Sequence, residues 1–471
     1  MSVTRSPRRR LAARPLAALA AIATAALIVS ACGGAASPTP APTAAPPATP
    51  APSVAPGETP AATPAPTPPG YTGPEVTIEY AIWGDPAEIA SQSAVVDAFR
   101  AANPKITVNV TVSDWDAYWT KVETGIAGGA APDVFAMDGP LFPDYQTRDV
   151  LLDLKPYVDR EGYDLTQLAD QAVVDFTTAA GGQYGLPRDL NTVVLYFNKT
   201  MFDAASLPYP DESWDWDKLV EVGKKLTLDT NGDGTTDQWG FYTETTDMEN
   251  YWSSLVWQNG GDILAPDGKT TALGSDQAAG GIQFLQDLIY THRIMADPAI
   301  FAETGDAFEQ GKAAMEANGS WLVPTHTAAG TDLGFEFGIA PLPKGPAGRF
   351  TSANPTGAVV YKGTKAPDAA WELVKYLASA AAQERIMQLK ASVPVNKEVL
   401  AGPYATSFEG AKVLADSLAY AKLKPSFRGY TEFATILQGE LDTNVFNASN
   451  KTAKQALTDI VPELDKLLAQ Q

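Results

Sequence analysis

The stretch from residue 76 to residue 137 switches repeatedly between two periodicities, and this constrains the possible fold more than any other feature of the sequence. Strand-like segments, alternating or continuously apolar, occupy 76–82, 106–112 and 132–137. Segments with helical spacing lie between them, at 87–102 and at 114–127, where Asp114 is a candidate N-cap. A run in this order predicts an α/β fold with a parallel sheet and helices on both faces.

Such sheets bind ligands beyond the carboxyl ends of their strands. Trp83-Gly84-Asp85 follows the first predicted strand, and Asp138 follows the third. We therefore expect a ligand site where these residues meet.

The first 73 residues are expected to lie outside the fold. The basic block Arg8–Arg10 precedes an apolar stretch over 16–29, which is shorter than the roughly 20 residues of a membrane span. Small residues then lead into Cys32, the only cysteine of the chain, in a pattern that looks like a bacterial lipobox. The pattern predicts a signal peptide over 1–31 and lipidation of Cys32. The alternative is an uncleaved signal anchor with an incidental cysteine.

Residues 32–73 are predicted to hold the lipid anchor and a disordered linker. The segment 33–73 contains 13 of the 37 prolines, mixed with alanine, threonine and serine. Such a segment buries too little apolar surface to offset the entropy of ordering, and its prolines favour an extended chain. The globular body is therefore expected to start near residue 74, on a semi-rigid tether.

The composition excludes several classes of function. The chain carries 34 Lys+Arg and 55 Asp+Glu, a net charge of −21, and removal of the five arginines in the first 31 residues leaves −26. A body this acidic repels phosphate backbones, so nucleic acid is not an expected partner. One cysteine excludes an internal disulfide framework, and two histidines leave little material for a Cys/His zinc site or for histidine catalysis.

Further elements are predicted along the rest of the body. Strands are expected at 192–197, 335–341 and 358–361, and helices at 217–226, 278–290, 367–378 and 454–468, the last kinked or broken at Pro462. The sequence contains no glycine-rich phosphate loop, so neither a nucleotide nor a redox cofactor is expected.

Five short motifs are individually weak but specific in their order. They are Ala131-Pro132-Asp133-Val134-Phe135, Gly185-Leu186-Pro187 followed by Asn198-Lys199, Gln258-Asn259-Gly260-Gly261, the run from Phe308 to Met315 followed by Gly319-Ser320-Trp321, and Pro367-Asp368-Ala369-Ala370-Trp371-Glu372. In this order they resemble the family 1 extracellular solute-binding proteins of sugar ABC transporters, the group that includes maltose-binding protein. The resemblance covers residues 75 to about 470.

The resemblance implies an α/β, two-lobed periplasmic-binding-protein fold with a hinge and a ligand cleft between the lobes. The implied lobes are 74–188 with 357–405 and 189–356 with 406–471, and the chain is expected to cross between them near 188–192, 354–357 and 400–410. The implied protein is a monomer and not an enzyme, lipid-anchored at the extracellular face of the cytoplasmic membrane. It captures a di- or oligosaccharide by hinge closure and delivers it to the permease of an ABC importer.

A sugar site needs aromatic faces for the rings and charged or amide groups for the hydroxyls. From the strand ends and the resemblance, the candidate ligand contacts are Trp83, Asp85, Trp115, Asp138, Asp189, Tyr251, Trp257, Trp321, Phe427 and Arg428. Trp321 is the strongest aromatic candidate. Structural alternatives stay open: Asp85 could cap a helix, Asp189 could stabilise the hinge, and Trp115 could pack helix against sheet.

Residues 229–240 form the one string with metal-ligand spacing. Asp229, Asn231, Asp233, Thr235 and Asp237 follow the calcium-loop pattern, with Gly234 at the sharp turn, but Gly240 replaces the final glutamate and excludes an EF-hand. The string, together with the resemblance, implies a structural calcium ion. The alternative is a turn-rich β-connection.

Three competing functions also fit the sequence. A secreted glycoside hydrolase could use Asp85, Asp138 and Asp189 as paired carboxylates. A receptor for a peptide or another non-sugar solute could share the fold. A calcium-dependent adhesin would be expected to repeat its metal loop, and only one such loop is present.

Overall fold

The computed structural model describes residues 71–84, 86–245, 251–301 and 305–470. The signal segment, Cys32 and Asp85 lie outside the described residues, as does the linker up to residue 70, so their predicted roles stay predictions. The described residues belong to one compact unit. Within the described part, no helix combines the length and apolar character that crossing a membrane requires.

The predicted parallel sheet is confirmed. Strand β1 (Val76–Trp83) lies between β2 (Ile106–Ser113) and β3 (Val134–Asp138) and is parallel to both. The crossover helices are α1 (Pro86–Ala102) and α2 (Trp115–Ala127). Both follow the predicted periodicity, and α1 buries Val95, Val96 and Phe99 against the sheet side of the molecule. Asp114 caps α2 as predicted, since its carboxylate accepts the amide of Ala117 at 2.9 Å.

Two long strands connect this sheet to a second one. Strand β4 (Gly185–Asn198) pairs over its second half with β5 (Met315–Gly319) and β6 (Phe337–Ala340), and over its first half with β7 (Thr351–Val360). Strand β7 in turn pairs with β3, and the short β8 (Ala421–Leu423) pairs with its other end. Both β4 and β7 are buried along their whole length.

These two strands contain the first two predicted crossings, 188–192 and 354–357. Their ladder shows a register irregularity between Pro187 and Asp189. Strand β4 is longer than the predicted 192–197 because residues 185–187 also join the ladder with β7. A paired ladder that links two sheets is where a two-lobed molecule can bend, and the hinge at these residues stays a prediction.

Helices cover both sheets, and four of those outside the first sheet were predicted. They are α7 (Trp216–Leu226), α9 (Asp276–Tyr290), α11 (Pro367–Leu377) and α16 (Ala453–Leu468). The predicted break at Pro462 does not occur, because α16 continues through it and buries Leu457, Leu464 and Leu468. The helices without a sequence prediction are mostly short: α3 (Phe142–Thr147), α4 (Lys155–Glu161), α5 (Asp170–Val174), α6 (Lys199–Ala204), α8 (Trp252–Gln258), α10 (Val323–Leu333), α12 (Ala380–Leu389), α13 (Lys397–Ala401), α14 (Ala411–Ser417) and α15 (Tyr430–Leu441).

Candidate functional site

The carboxyl ends of the three parallel strands meet at one edge of the sheet, beside a large groove. Trp83 at the end of β1 is in register with Ser113 at the end of β2, and Asp138 ends β3. The groove has a volume of about 1330 Å³. One wall is formed by the start of α2 with the segment after β3, and the other by Glu244 with residues 428–439. The groove is therefore where sequence reasoning places a ligand.

An aromatic cluster forms the α2 wall of the groove. Trp115 is 37% exposed, and its ring meets the rings of Trp83 and Trp119 edge-on, with centroids 5.0 and 5.5 Å away. Trp119 in turn lies 5.6 Å from Tyr145, and both line the groove. Trp115 presents the exposed ring, while Trp83 supports it from behind. Trp119 is not among the predicted ligand contacts, although its position one helical turn after Trp115 is a readable signal.

Asp138 lies at the inner end of the groove and faces a buried cation. The residue is 3% exposed, and the Lys424 ammonium lies 3.7 Å from its Oδ2 atom. The Lys424 side chain has no exposed surface. Burial raises the pKa of nearby Asp175 to about 7, against the opposing effect of the Lys424 charge. Residues from two distant parts of the chain are thus joined electrostatically beneath the groove.

The two candidate residues in the segment after β8 differ in exposure. Arg428 is exposed and lines the groove. Phe427 is only 8% exposed and packs against Tyr430 and Phe433, with ring centroids 5.7 and 5.3 Å away. Phe427 thus packs in the core in this structure, and its predicted ligand contact stays a prediction. The turn is held by Asp144, whose carboxylate accepts the Gly429 amide at 2.6 Å.

Asp189 takes the structural alternative rather than a place in the groove. It is 6% exposed, accepts a hydrogen bond from the Asn191 amide at 3.0 Å, and lies 3.3 Å from the Arg188 guanidinium. Burial raises its pKa to about 6, while Arg188 and hydrogen bonds from Thr356 act in the opposite direction. It lines a separate small cavity with Tyr80. Asp189 thus ties β4 to β7 at the crossing.

Three further aromatic candidates lie away from the groove walls. Trp257 is 3% exposed, because α8 is buried on all sides, and Tyr251, the residue before α8, is 0% exposed. The Trp257 indole donates a hydrogen bond to Asp262 at 3.0 Å. Trp321 is partly exposed after β5, and its ring lies on Gly319 so closely that a Cβ there would come within 2.0 Å of it. Trp321 does not line this groove, so its predicted ligand contact stays a prediction.

The predicted calcium loop uses its side chains internally. Asp229 accepts the backbone amides of Gly232 and Gly234 at 2.7 and 2.8 Å, and Asp237 accepts the Thr230 amide at 3.0 Å. Leu228 pairs with Gln238 across the base, as in a turn-rich β-connection. Across the described residues, no group of three or more His, Cys, Asp or Glu side chains is arranged to hold a metal ion.

This arrangement gives the calcium prediction no support, because the loop carboxylates point to amides rather than converge on one centre. The five predicted ligands, Asp229, Asn231, Asp233, Thr235 and Asp237, remain a prediction. A fall in melting temperature on adding a calcium chelator would be the sign of a bound ion.

Comparison with known proteins places the chain in a family. The family model of bacterial extracellular solute-binding proteins matches residues 83–384. A galactooligosaccharide-binding protein of Bacillus subtilis is 24% identical over 379 residues, which are 78% of this chain and 84% of that protein. An arabinooligosaccharide-binding protein of Halalkalibacterium halodurans is 25% identical over 337 residues, which are 68% of this chain and 72% of that protein.

Solved structures share the fold. An ABC substrate-binding protein of Listeria monocytogenes in complex with cycloalternan superposes with a TM-score of 0.75 at 25% identity. The match covers 83% of this chain and 98% of that one. The similarity confirms the predicted two-lobed α/β fold.

Proposed function

Because this chain belongs to the bacterial extracellular solute-binding protein family, we propose that it captures a carbohydrate in the groove and delivers it to an ABC importer. The expected ligand is a di- or oligosaccharide. A volume of about 1330 Å³ exceeds the roughly 300–1,000 Å³ of sites for drug-sized ligands, so it has room for more than one sugar ring. Relatives named for galactooligosaccharide and arabinooligosaccharide binding support the same ligand class.

The single observation that carries the proposal is the exposed Trp115 ring among carboxylates. A pyranose has a weakly apolar face, which stacks on an indole, and a rim of hydroxyls, which donate to charged oxygens. Asp114 and Asp116 flank Trp115 on the same wall, and Asp138 and Glu244 line the groove as well. The groove therefore offers both contacts that a sugar ring requires.

Hinge closure is proposed to occur in the β4–β7 ladder. The groove wall from α2 belongs with the first sheet, while Glu244 follows Tyr242, which is bridged to β5 of the second sheet. Bending between the sheets would change the distance between these walls. Closure around the ligand would then create the surface that a permease recognises.

The location is proposed from the amino-terminal sequence. Cys32 would carry the lipid, and the Pro-rich linker would hold the body at the extracellular face of the cytoplasmic membrane. The permease subunits of an ABC importer would be the protein partner.

Hydrolysis by the predicted pair of Asp138 and Asp189 gains no support from the positions of their carboxyl groups. Asp138 lines the groove, whereas Asp189 lines a different cavity and is bonded within the hinge ladder. A glycosidase needs its two carboxyl groups about 5–10 Å apart on either side of one bond. Because the family is one of solute-binding proteins, binding without turnover is the proposed activity.

A thermal-shift screen tests the proposal. The protein is expected to melt at a higher temperature with at least one neutral di- or oligosaccharide, because a ligand that binds only the folded state stabilises it. Dipeptides and polyamines serve as the comparison set. Stabilisation by a member of that set, with none by any saccharide, would assign the protein to another solute. Release of shorter sugars during incubation would show an enzyme.

A further inference from the structure

The walls of the groove carry an excess of negative charge. Among the described residues, six carboxylates and two arginines line the groove; the carboxylates are Asp114, Asp116, Glu123, Asp138, Asp144 and Glu244. The body that surrounds the groove is also acidic, since the chain has 34 Lys+Arg and 55 Asp+Glu. The groove carboxylates and the acidic body both contribute a negative potential where a ligand would enter.

One of the two arginines is already neutralised within the wall. The Arg148 guanidinium donates two hydrogen bonds to the Glu123 carboxylate, at 2.8 and 2.9 Å. It also lies over the Tyr145 ring, 4.6 Å from the centroid. A planar, bidentate pair of this kind leaves the guanidinium little capacity for a second anion.

Lys424, the cation beside the inner end of the groove, is also paired with a carboxylate of the protein. Lys424 is fully buried 3.7 Å from Asp138, so its charge offsets a carboxylate of the protein. It does not line the groove. A ligand anion would therefore meet Asp138 before it met Lys424.

The carboxylates beside Trp115 are exposed to the groove and are not neutralised by an ion pair within the described residues. Over the described residues, Asp114 and Asp116 form no ion pair, and both are exposed beside Trp115. Asp144 accepts a backbone amide, which does not cancel its charge. Arg428 remains as the one groove cation outside the Arg148–Glu123 pair. Asp114, Asp116 and Asp144 thus face the ligand space beside one arginine, Arg428.

We infer from this imbalance that the groove selects saccharides by charge: it takes neutral and amino sugars and rejects sugars that carry carboxylate, sulfate or phosphate groups. The inference rests on the proposed carbohydrate function and adds a ligand class to it. Sugar hydroxyls donate hydrogen bonds to the wall carboxylates, and protonated amines add attraction. An anionic substituent would lose those donors and be repelled by groups within the screening length of roughly 8–10 Å.

The test uses charge variants of one sugar. The neutral oligosaccharide found by thermal shift is converted at its C6 positions to the carboxylate, the carboxamide and the amine. The carboxamide is the matched control, since it has the size of the carboxylate without its charge. Calorimetry is expected to show carboxylate binding at least about tenfold weaker than carboxamide binding, and amine binding as tight or tighter, with an advantage that shrinks as salt is added.

Two variants locate the effect. Asp116→Asn and Glu244→Gln are each expected to reduce the ratio of carboxamide affinity to carboxylate affinity by at least about threefold. This ratio is called the carboxylate–carboxamide gap below. Asp332→Asn removes the same charge from an exposed position on α10 outside the groove, and should leave the gap unchanged.

The outcomes separate the two claims. If the carboxamide binds and the carboxylate binds equally well, charge selection is wrong while carbohydrate binding stands. If Asp332→Asn narrows the gap as much as Asp116→Asn, selection arises from the overall charge, and the assignment to the groove is overturned. If no saccharide binds in any form, the proposed function fails and the inference falls with it.

Discussion

Replacing Trp115 with alanine is expected to weaken the binding of a neutral oligosaccharide by at least about tenfold, roughly 1.4 kcal/mol. Trp115 is the aromatic ring of the groove with the largest free surface, at 37% exposure. Its loss removes the stacking face but leaves Trp83, Trp119 and Tyr145 packed on one another. Calorimetric titration measures the affinity, and thermal melting should show only a small loss of stability.

Two controls define this result. Tyr209→Ala removes an aromatic ring of similar exposure, 40%, that lies outside the groove, and it should leave the affinity unchanged. Trp321→Ala tests the position that sequence reasoning ranked highest. Unchanged affinity in Trp115→Ala, together with a large loss in Trp321→Ala, would show that the sugar lies against β5 rather than α2.

Replacing Lys424 with methionine is expected to destabilise the fold by about 3–5 kcal/mol, the usual cost of removing one partner from a buried ion pair. The change leaves Asp138, which is 3% exposed, without the cation at 3.7 Å. It also removes the charge that lowers the pKa of Asp175. Urea unfolding at neutral pH measures the loss.

Lys422→Met is the matched control, two residues away. Lys422 pairs with Asp262 at 3.1 Å, but its side chain is 40% exposed, so its loss should cost less than about 1 kcal/mol. Equal losses in the two variants would contradict a special role for the buried pair.

The deficit of Lys424→Met should also depend on pH in a defined direction. Without Lys424 the pKa of Asp175 rises further above its value of about 7, so the folded state binds protons more strongly than the unfolded state. The part of the deficit that comes from Asp175 should therefore be fully present above this raised pKa and shrink as the pH falls to about 7, the pKa that Asp175 has beside Lys424. A deficit that is constant across this range would point to lost packing instead.

The sequence predicts the local elements of the fold well, because periodicity reports which face of a segment is buried. The run from β1 to β3 and the Asp114 cap both follow from such signals. The predicted break at Pro462 does not occur, since packing of one apolar face holds α16 together across a residue that lacks an amide hydrogen, while the predicted kink stays a prediction.

The site was predictable only in part. Trp83, Trp115 and Asp138 follow from the rule that ligands bind at strand ends, and the structure brings them together. The burial of Trp257 was not predictable, because its motif does not reveal that all seven residues of α8 are buried.

Contacts between distant residues carry no local signal. Lys424 beside Asp138 is one such pair, and the fully buried pair of His326 and Glu316, whose Nε2 and Oε2 atoms are 2.9 Å apart, is another. Pairs of this kind become visible only when the chain is folded.

Hydrogen–deuterium exchange with and without the selected oligosaccharide tests the central claim most directly. A sugar held between the two walls should slow amide exchange both at the start of α2, residues 115–119, and at the start of α15, residues 430–435. Exchange at the exposed loop 229–237 should not change. Protection on both walls is the predicted result. Protection on neither wall, with saturable sugar binding in the same sample, would show that the sugar binds elsewhere and would contradict the account.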